Sequence, residues 1–261
     1  MSKSSLVSII MNCHNSQKYL KQSISSVINQ SYKNWEIILW DNKSTDKSRK
    51  IVESFKNKKI KYFFSKKLTN LGKARNLAVK KAKGKYIAFI DTDDTWLKNK
   101  LKIQMEFLKK NKLQICFTNL NNFYQKKKLK EKKVKKYIKK ITTQSLLNDY
   151  QLGIITVVME KSLFRFKKFN EKLNILEDFD LFIHLSLHTN IGFINKVLAD
   201  YRIHGKNLTI KKSNLYINEL KQWINENESK FLKKNLSLFM QKKYLIKLQI
   251  KKLFNLPLFN I

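Results

Sequence analysis

Proline is almost missing from this chain, with one residue in 261, and glycine is scarce at 5, so few loops are built from special backbone geometry. The two cysteines, Cys13 and Cys116, are too few for a disulfide framework and lack the Cys-x-x-Cys spacing of a metal site. Both lie in apolar stretches and read as reduced core thiols, which suits a reducing compartment. No uninterrupted apolar run is long enough to span a bilayer and no signal peptide precedes the first apolar run, so the expectation is a cytoplasmic protein. A Walker lysine loop, a Gly-x-Gly-x-x-Gly turn and a His-Glu-x-x-His helix are all absent, which removes the P-loop, Rossmann dinucleotide and zincin readings. Acid is also short: 19 Asp and Glu stand against 55 Lys and Arg, a formal charge of +36. Such a charge favours nucleic acid, an anionic membrane surface or a nucleotide substrate. The excess is almost all lysine spread along the chain, and lysine is a point charge rather than a fork that reads bases. No nucleic-acid motif accompanies it, so the charge describes the surroundings and not the chemistry.

What is present describes a folded α/β protein. Hydrophobic residues make up 43% and aromatic residues 12%, enough for a full core with an appendage. Apolar runs predict strands over 6–11, 35–40, 60–64, 86–90, 113–119, 153–159 and 191–198. Helical spacing predicts helices over 19–29 and from 44 or 45 to about 55, one that 70–76 leads into and that reaches 83 with Gly84 as the cap, and others over 96–111 and 173–187. This alternation implies a mostly parallel sheet with helices on both faces, its strand ends gathered on one edge. A Lys-rich run over 126–140 reads as a solvated hairpin or helix face. The character changes near 207: residues 1–207 form the expected main domain, and 208–261 form a basic helical extension, periodic over 215–254. That tail reads either as a surface that touches anionic lipid or as a hairpin packed on the domain.

The chemistry is concentrated where strands end. The 86–90 run stops at Asp91, Asp93 and Asp94, at the sheet edge where open α/β sheets bind ligands. Carboxylates this close repel unless something positive compensates, and a divalent cation holding a phosphate does so. Asp93 is the candidate metal ligand, with Asp91 in support. Asp41 follows the 35–40 strand directly and suits a base or ribose hydrogen bond, or an Asx turn. Lys73 and Arg75, read as preceding a helix N-terminus, suit a phosphate, Arg75 more so because its fork binds oxygens bidentately, with a solvated cation as the alternative for either. Glu177 and Asp178 open a helix, where acids are common, and one of them is a candidate general base. His204 beside Arg202 is either a metal or phosphate contact or a structural histidine.

These pieces together resemble the family 2 glycosyltransferases and their GT-A fold. The matching stretches come in the family's order: VSIIMNCHN, WEIILWDNKSTDKS, NLGKARN, YIAFIDTDD, LEDFDLFIHL and YRIHGKNLT, over roughly residues 6–209. The resemblance implies that Cys13, His14, Asn15 and Asp41 line the base and ribose and that Arg75 contacts the nucleotide. It implies that Asp91 contacts ribose or metal, Asp93 ligates Mg²⁺ or Mn²⁺, and His204 lies near the diphosphate and metal. Asp178 would be the general base and Glu177 would position the acceptor. The implied reaction moves a sugar from a nucleotide sugar to a glycan or lipid-linked acceptor, usually with inversion, in surface polysaccharide assembly at the inner face of a membrane. Four positions depart from the family pattern: Asn12 for a frequent proline, His14 for an aromatic, Asn42 for a second acid and Lys98 for another proline. The competing reading, from the charge alone, is a polyanion- or nucleic-acid-binding protein on a degenerate transferase scaffold.

Overall fold

A computed structural model describes residues 4–124, 129–133, 141–205, 213–254 and 256 of the protein. Strand β1 (Val7–Cys13) is buried at every position but Asn12, so it needs cover on both faces and belongs inside a sheet. It pairs in parallel with β2 (Trp35–Asp41) on one side and β4 (Tyr86–Phe89) on the other, and β2 pairs in parallel with β3 (Ile60–Phe64). Beyond β4 the direction reverses. The short β8 (Val158–Glu160) lies antiparallel between β4 and β6 (Ile115–Tyr124), and β9 (Ile191–Ile203) runs parallel to β6. The two-residue β5 (Thr95–Trp96) closes the far edge against β9, and β7 (Leu129–Lys133) pairs with β6. Nine strands thus form one mixed sheet among the described residues, as the α/β expectation requires.

The helices are α1 (Leu20–Ile28), α2 (Ser48–Ser54), α3 (Leu71–Lys81), α4 (Lys100–Asn111), α5 (Thr143–Asn148), α6 (Glu177–Leu185), α7 (Ser213–Leu232) and α8 (Phe239–Leu253). Their apolar faces and both faces of the central strands share one hydrophobic core. Helix α7 contributes Ile217, Leu220, Trp223 and Phe231 to that core and α8 contributes Leu248, so the basic tail is packed onto the sheet domain. Among the described residues no helix is long and apolar enough to cross a membrane.

Several expected elements are displaced, each by a contact distant in sequence. The apolar run 153–159 is not one strand: Thr156 folds back, its amide and hydroxyl both donating to the Gly153 carbonyl at 2.8 and 2.6 Å, and only 158–160 pair. The helix expected from 96 starts at Lys100, because Trp96 pairs with Ala199 in β5 and its indole N–H donates to the Ile155 carbonyl at 2.9 Å. The 126–140 run contributes the strand 129–133; its other residues, 126–128 and 134–140, lie outside the described residues.

Gly84 is not a helix cap. Helix α3 ends at Ala82 in extended backbone, and no glycine has positive φ. Gly84 is required by crowding: a Cβ there would sit 2.7 Å from the Leu6 carbonyl oxygen and 2.7 Å from the Ser8 nitrogen. This turn also carries a buried relay in which Gly84 N–H donates to Ser8 Oγ at 2.7 Å and Ser8 donates to Glu36 at 2.6 Å. We expect Gly84→Ala to destabilise the protein by about 1–3 kcal/mol in urea unfolding, because backbone has to shift. Gly205→Ala is the control, since nothing lies within 4 Å of its added Cβ. Equal stability of the two variants would refute the crowding argument.

Candidate active site

The parallel registers decide where the polar residues go. Cys13 sits opposite Asp41 and Ile10 opposite Phe89, so the chain leaves β1, β2 and β4 on the same edge. The turns are bolted together there. Thr92 Oγ1 donates to Ser16 Oγ at 2.8 Å, Ser23 Oγ to the Asp91 carbonyl at 2.9 Å, and the Asn42 amide to the Cys13 carbonyl at 2.7 Å. A cavity of about 430 Å³ opens on this edge, and His14, Arg75, Asp91, Asp93, Glu177 and Asp178 all border it.

Arg75 is the cation at its centre. Its side chain is 3% exposed; Nη2 donates to Asp91 Oδ1 at 3.1 Å and Nη1 to Glu177 Oε1. Burial opposes its charge, but Glu177, Asp91 and Asp178 outweigh burial and hold the guanidinium charged. The NLGKARN stretch explains how it gets there. Asn70 caps α3 by accepting from the Lys73 amide at 2.9 Å. Gly72 lets the first turn press against the neighbouring loop, because a Cβ would lie 2.6 Å from the Asn170 carbonyl oxygen. Asn76 exchanges hydrogen bonds with both backbone groups of Phe169, at 2.9 and 3.1 Å. Arg75 therefore lies inside α3, aimed across at α6, and not ahead of a helix start as a free phosphate clamp.

Glu177 and Asp178 form the first turn of α6. Burial raises Glu177 to about 8 despite the Arg75 charge beside it. Burial likewise lifts Asp178 to about 6, with Arg75 and the Phe179 amide pulling it down; that amide donates to Asp178 Oδ1 at 2.6 Å. Glu219 of α7 anchors this helix start. Its carboxylate accepts from the backbone amides of Asn174, Ile175 and Leu176 at 2.8, 3.0 and 3.1 Å. Trp223, one turn further on, donates to Asp180 at 2.9 Å. Nothing in the sequence reading singled out Glu219; the available signal was an acid on the apolar face of the helix, beside Leu220 and Trp223.

Asp93, which borders the cavity, meets His204, the residue after β9, with Asp93 Oδ2 and His204 Nε2 3.0 Å apart. The His204 ring stacks on Tyr19, and Arg202 fastens the pair: Nε donates to the Asp93 carbonyl at 2.7 Å, while the Arg202 amide donates to Asp94 Oδ1 at 2.7 Å. Asp94 is buried, and burial together with Asp93 and Asp91 pushes its carboxyl well up. It is a structural acid. Among the described residues no three His, Cys, Asp or Glu side chains gather to hold a metal. Asp93 and His204 offer two donors, while Asp91 already accepts from Arg75. That set fits Mg²⁺ or Mn²⁺ only when phosphate oxygens and water supply the rest of the coordination.

The remaining expected residues divide. His14 borders the cavity, its Nδ1 2.9 Å from the Asn42 carbonyl, an acceptor, so Nδ1 carries a proton. Asn12, which the sequence reading noted only as a departure from the family pattern, also borders the cavity, and its Nδ2 is a buried donor without a partner among the described residues. Cys13 and Asp41 stand behind the wall, and Asn15 is exposed beside the cavity without bordering it. Asp41 is 1% exposed, with Oδ1 accepting from the Ser44 amide at 2.8 Å and Oδ2 from Tyr62 at 2.7 Å. Asn15 Oδ1 accepts from the Thr45 amide at 2.8 Å, and Cys13 is a buried thiol that burial pushes up. Asn42 ties this turn to the next by donating to the Thr69 carbonyl at 2.7 Å, a bond that an acid at that position could not make.

Comparison with known proteins gives a consistent result. The family model for glycosyl transferase family 2 matches residues 8–173. The chain is 34% identical over 226 residues to UDP-Glc:alpha-D-GlcNAc-diphosphoundecaprenol beta-1,3-glucosyltransferase WfgD of Escherichia coli, covering 84% of each. It is 30% identical over 209 residues to the Escherichia coli enzyme WfaP of the same description, covering 79% of this chain and 81% of that one. Among solved structures, S. aureus TarS 1-349 in complex with UDP-GlcNAc is similar in fold, with a TM-score of 0.68 at 21% identity, over 84% of this chain and 66% of that chain.

The anchoring role of Glu219 is open to measurement. Glu219→Ala leaves three backbone amides without their acceptor, and we expect a loss of about 2–4 kcal/mol in urea unfolding. A loss below about 0.5 kcal/mol, the range of an ordinary surface substitution, would show that water replaces the carboxylate.

Proposed function

The chain belongs to glycosyl transferase family 2 and is a glycosyltransferase, and from that premise we propose that it transfers a sugar from a nucleoside-diphosphate donor to a hydroxyl of a lipid-linked glycan, with inversion at the anomeric carbon. The observation that carries this reading is Asp178. It borders the cavity, one oxygen is pinned by the Phe179 amide, and the other has no protein partner among the described residues. A carboxylate lifted toward neutrality by burial is matched to taking a proton from a hydroxyl.

In this reading the nucleotide lies along the edge formed by the ends of β1, β2 and β4. Asn12 and His14 meet its base or ribose, and Asp91 lies between ribose and Arg75. Asp178 accepts the proton of the acceptor hydroxyl as that oxygen bonds to the anomeric carbon. The bond from that carbon to the diphosphate oxygen breaks, and its electron pair leaves with the diphosphate. Glu177, held by Arg75, keeps the α6 terminus in place. Asp93 and His204 are the residues that would hold a divalent cation, which when bound with the donor neutralises charge on the diphosphate. A second hollow of about 260 Å³ shares Leu120, Gly153 and Tyr201 with the first and gives the acceptor room. The lipid-linked acceptor is supported by the acceptor in the WfgD description, and in this reading the reaction runs at the cytoplasmic face of a membrane. The polyanion-binding alternative draws no support here, because the cavity wall carries four carboxylates.

Two kinds of measurement, of rate and of melting temperature, test the proposal. Asp178→Asn is expected to lower kcat by about 10²–10⁴ while donor affinity is retained; near wild-type turnover would remove Asp178 as the base. The wild-type rate is expected to fall as pH drops through about 6, where Asp178 takes up its proton, and not near the 3.9 of an ordinary aspartate. In the second measurement, Mn²⁺ raises the melting temperature only together with UDP or a UDP-sugar, and Asp93→Ala abolishes the increment. A full shift with Mn²⁺ alone would contradict the two-donor site.

A further inference from the structure

Helix α8 packs one side on the domain and leaves a second apolar face uncovered. Its inner face is held by Gln241, which donates to the Leu147 carbonyl, by buried Leu248, and by Tyr244 edge-on to Tyr216. Phe239, Ile246, Ile250 and Leu253 recur at spacings of seven, four and three, which places them on one stripe of the helix. That stripe lies on the side away from Gln241 and Leu248, and its members are 66%, 56%, 50% and 78% exposed. Phe254, 67% exposed, extends it past the helix end. The helix has five lysines and no acid; Lys243 and Lys247 flank the stripe, while Lys242 pairs with Glu228.

We propose that this outer face of α8 docks the protein on an anionic lipid bilayer, with the apolar stripe in the interface and the flanking lysines on the head groups. A large apolar face framed by cations is the form of an interfacial helix. Its 15 residues span about 22 Å, too short to cross the hydrocarbon core, so it lies on the membrane. A second copy of this chain is a poorer occupant, since it would bring a +36 protein against its like across a lysine-framed patch. The proposal deepens the lipid-linked-acceptor reading and rests on it for its purpose: Glu219 and Trp223 of α7, which packs against α8, tie the docking helix to the α6 terminus that carries Asp178.

The test is vesicle flotation with the full chain, without donor or acceptor, on phosphatidylglycerol-containing and pure phosphatidylcholine vesicles at low and raised salt. The variant combines Phe239→Ser, Ile246→Ser and Ile250→Ser, which are exposed positions and leave the charge unchanged. The wild type is expected to float with the anionic vesicles and to keep part of that binding at raised salt, where purely coulombic attachment is screened. The variant is expected to bind about tenfold more weakly, a loss of about 1.4 kcal/mol, and to transfer sugar to a short soluble acceptor as the wild type does. Equal binding by both proteins, or none by the wild type, would overturn the proposal. A wild-type dimer that the variant loses, seen by sedimentation velocity, would assign the face to a second copy instead. Vesicle binding that follows the stripe in a protein with no transfer activity would leave this inference standing and remove the proposed function.

Discussion

The site depends on one buried guanidinium. Arg75 lies between Asp91 at the end of β4 and Glu177 at the start of α6, and without it the edge would gather carboxylates in a poorly solvated cleft. An ion pair at this depth is a weak source of net stability, because desolvation cancels most of the attraction. Its value is positional. Removing either partner strands a buried charge, so α3, β4 and α6 keep one relative placement, and the cavity wall comes with it.

The rest of the architecture serves that placement. Gly72 and Asn76 hold α3 against the 169–170 loop, and Glu219 holds the backbone that turns into α6. Arg202 binds the Asp93–Asp94 turn to the end of β9. These contacts join segments between 43 and 109 residues apart. The tail is therefore part of the support for the active-site wall, and its outer face is free for another task.

Much of this was legible in the chain. Short apolar runs ending in acid located β2 and β4 closely, because a strand buried on both faces must be apolar along its length. Motifs in a fixed order identified the family, and Arg75, Asp91, Asp93, Glu177 and Asp178 do come together. The misreadings share a cause. Gly84 sat where a helix cap belongs, yet it answers to the backbone of β1, and the 153–159 run read as one strand, yet Thr156 folds back on Gly153; of the two options open for Asp41, the structure forms the turn, with Ser44 and Tyr62 on its oxygens. Local pattern names a residue's options, and a distant neighbour selects among them.

Periodicity and composition by themselves determined that this is an α/β chain with its acids at one sheet edge, since strand and helix periods are properties of consecutive residues and right-handed crossovers do the rest. Only the tertiary structure decided which acids face the cavity and which are consumed inside the protein. It also decided that β8 runs antiparallel, that Glu219 supports α6, and that the apolar stripe of α8 faces outward. Those outcomes depend on side chains that meet across long stretches of chain, and no local period encodes which partner a carboxylate will find.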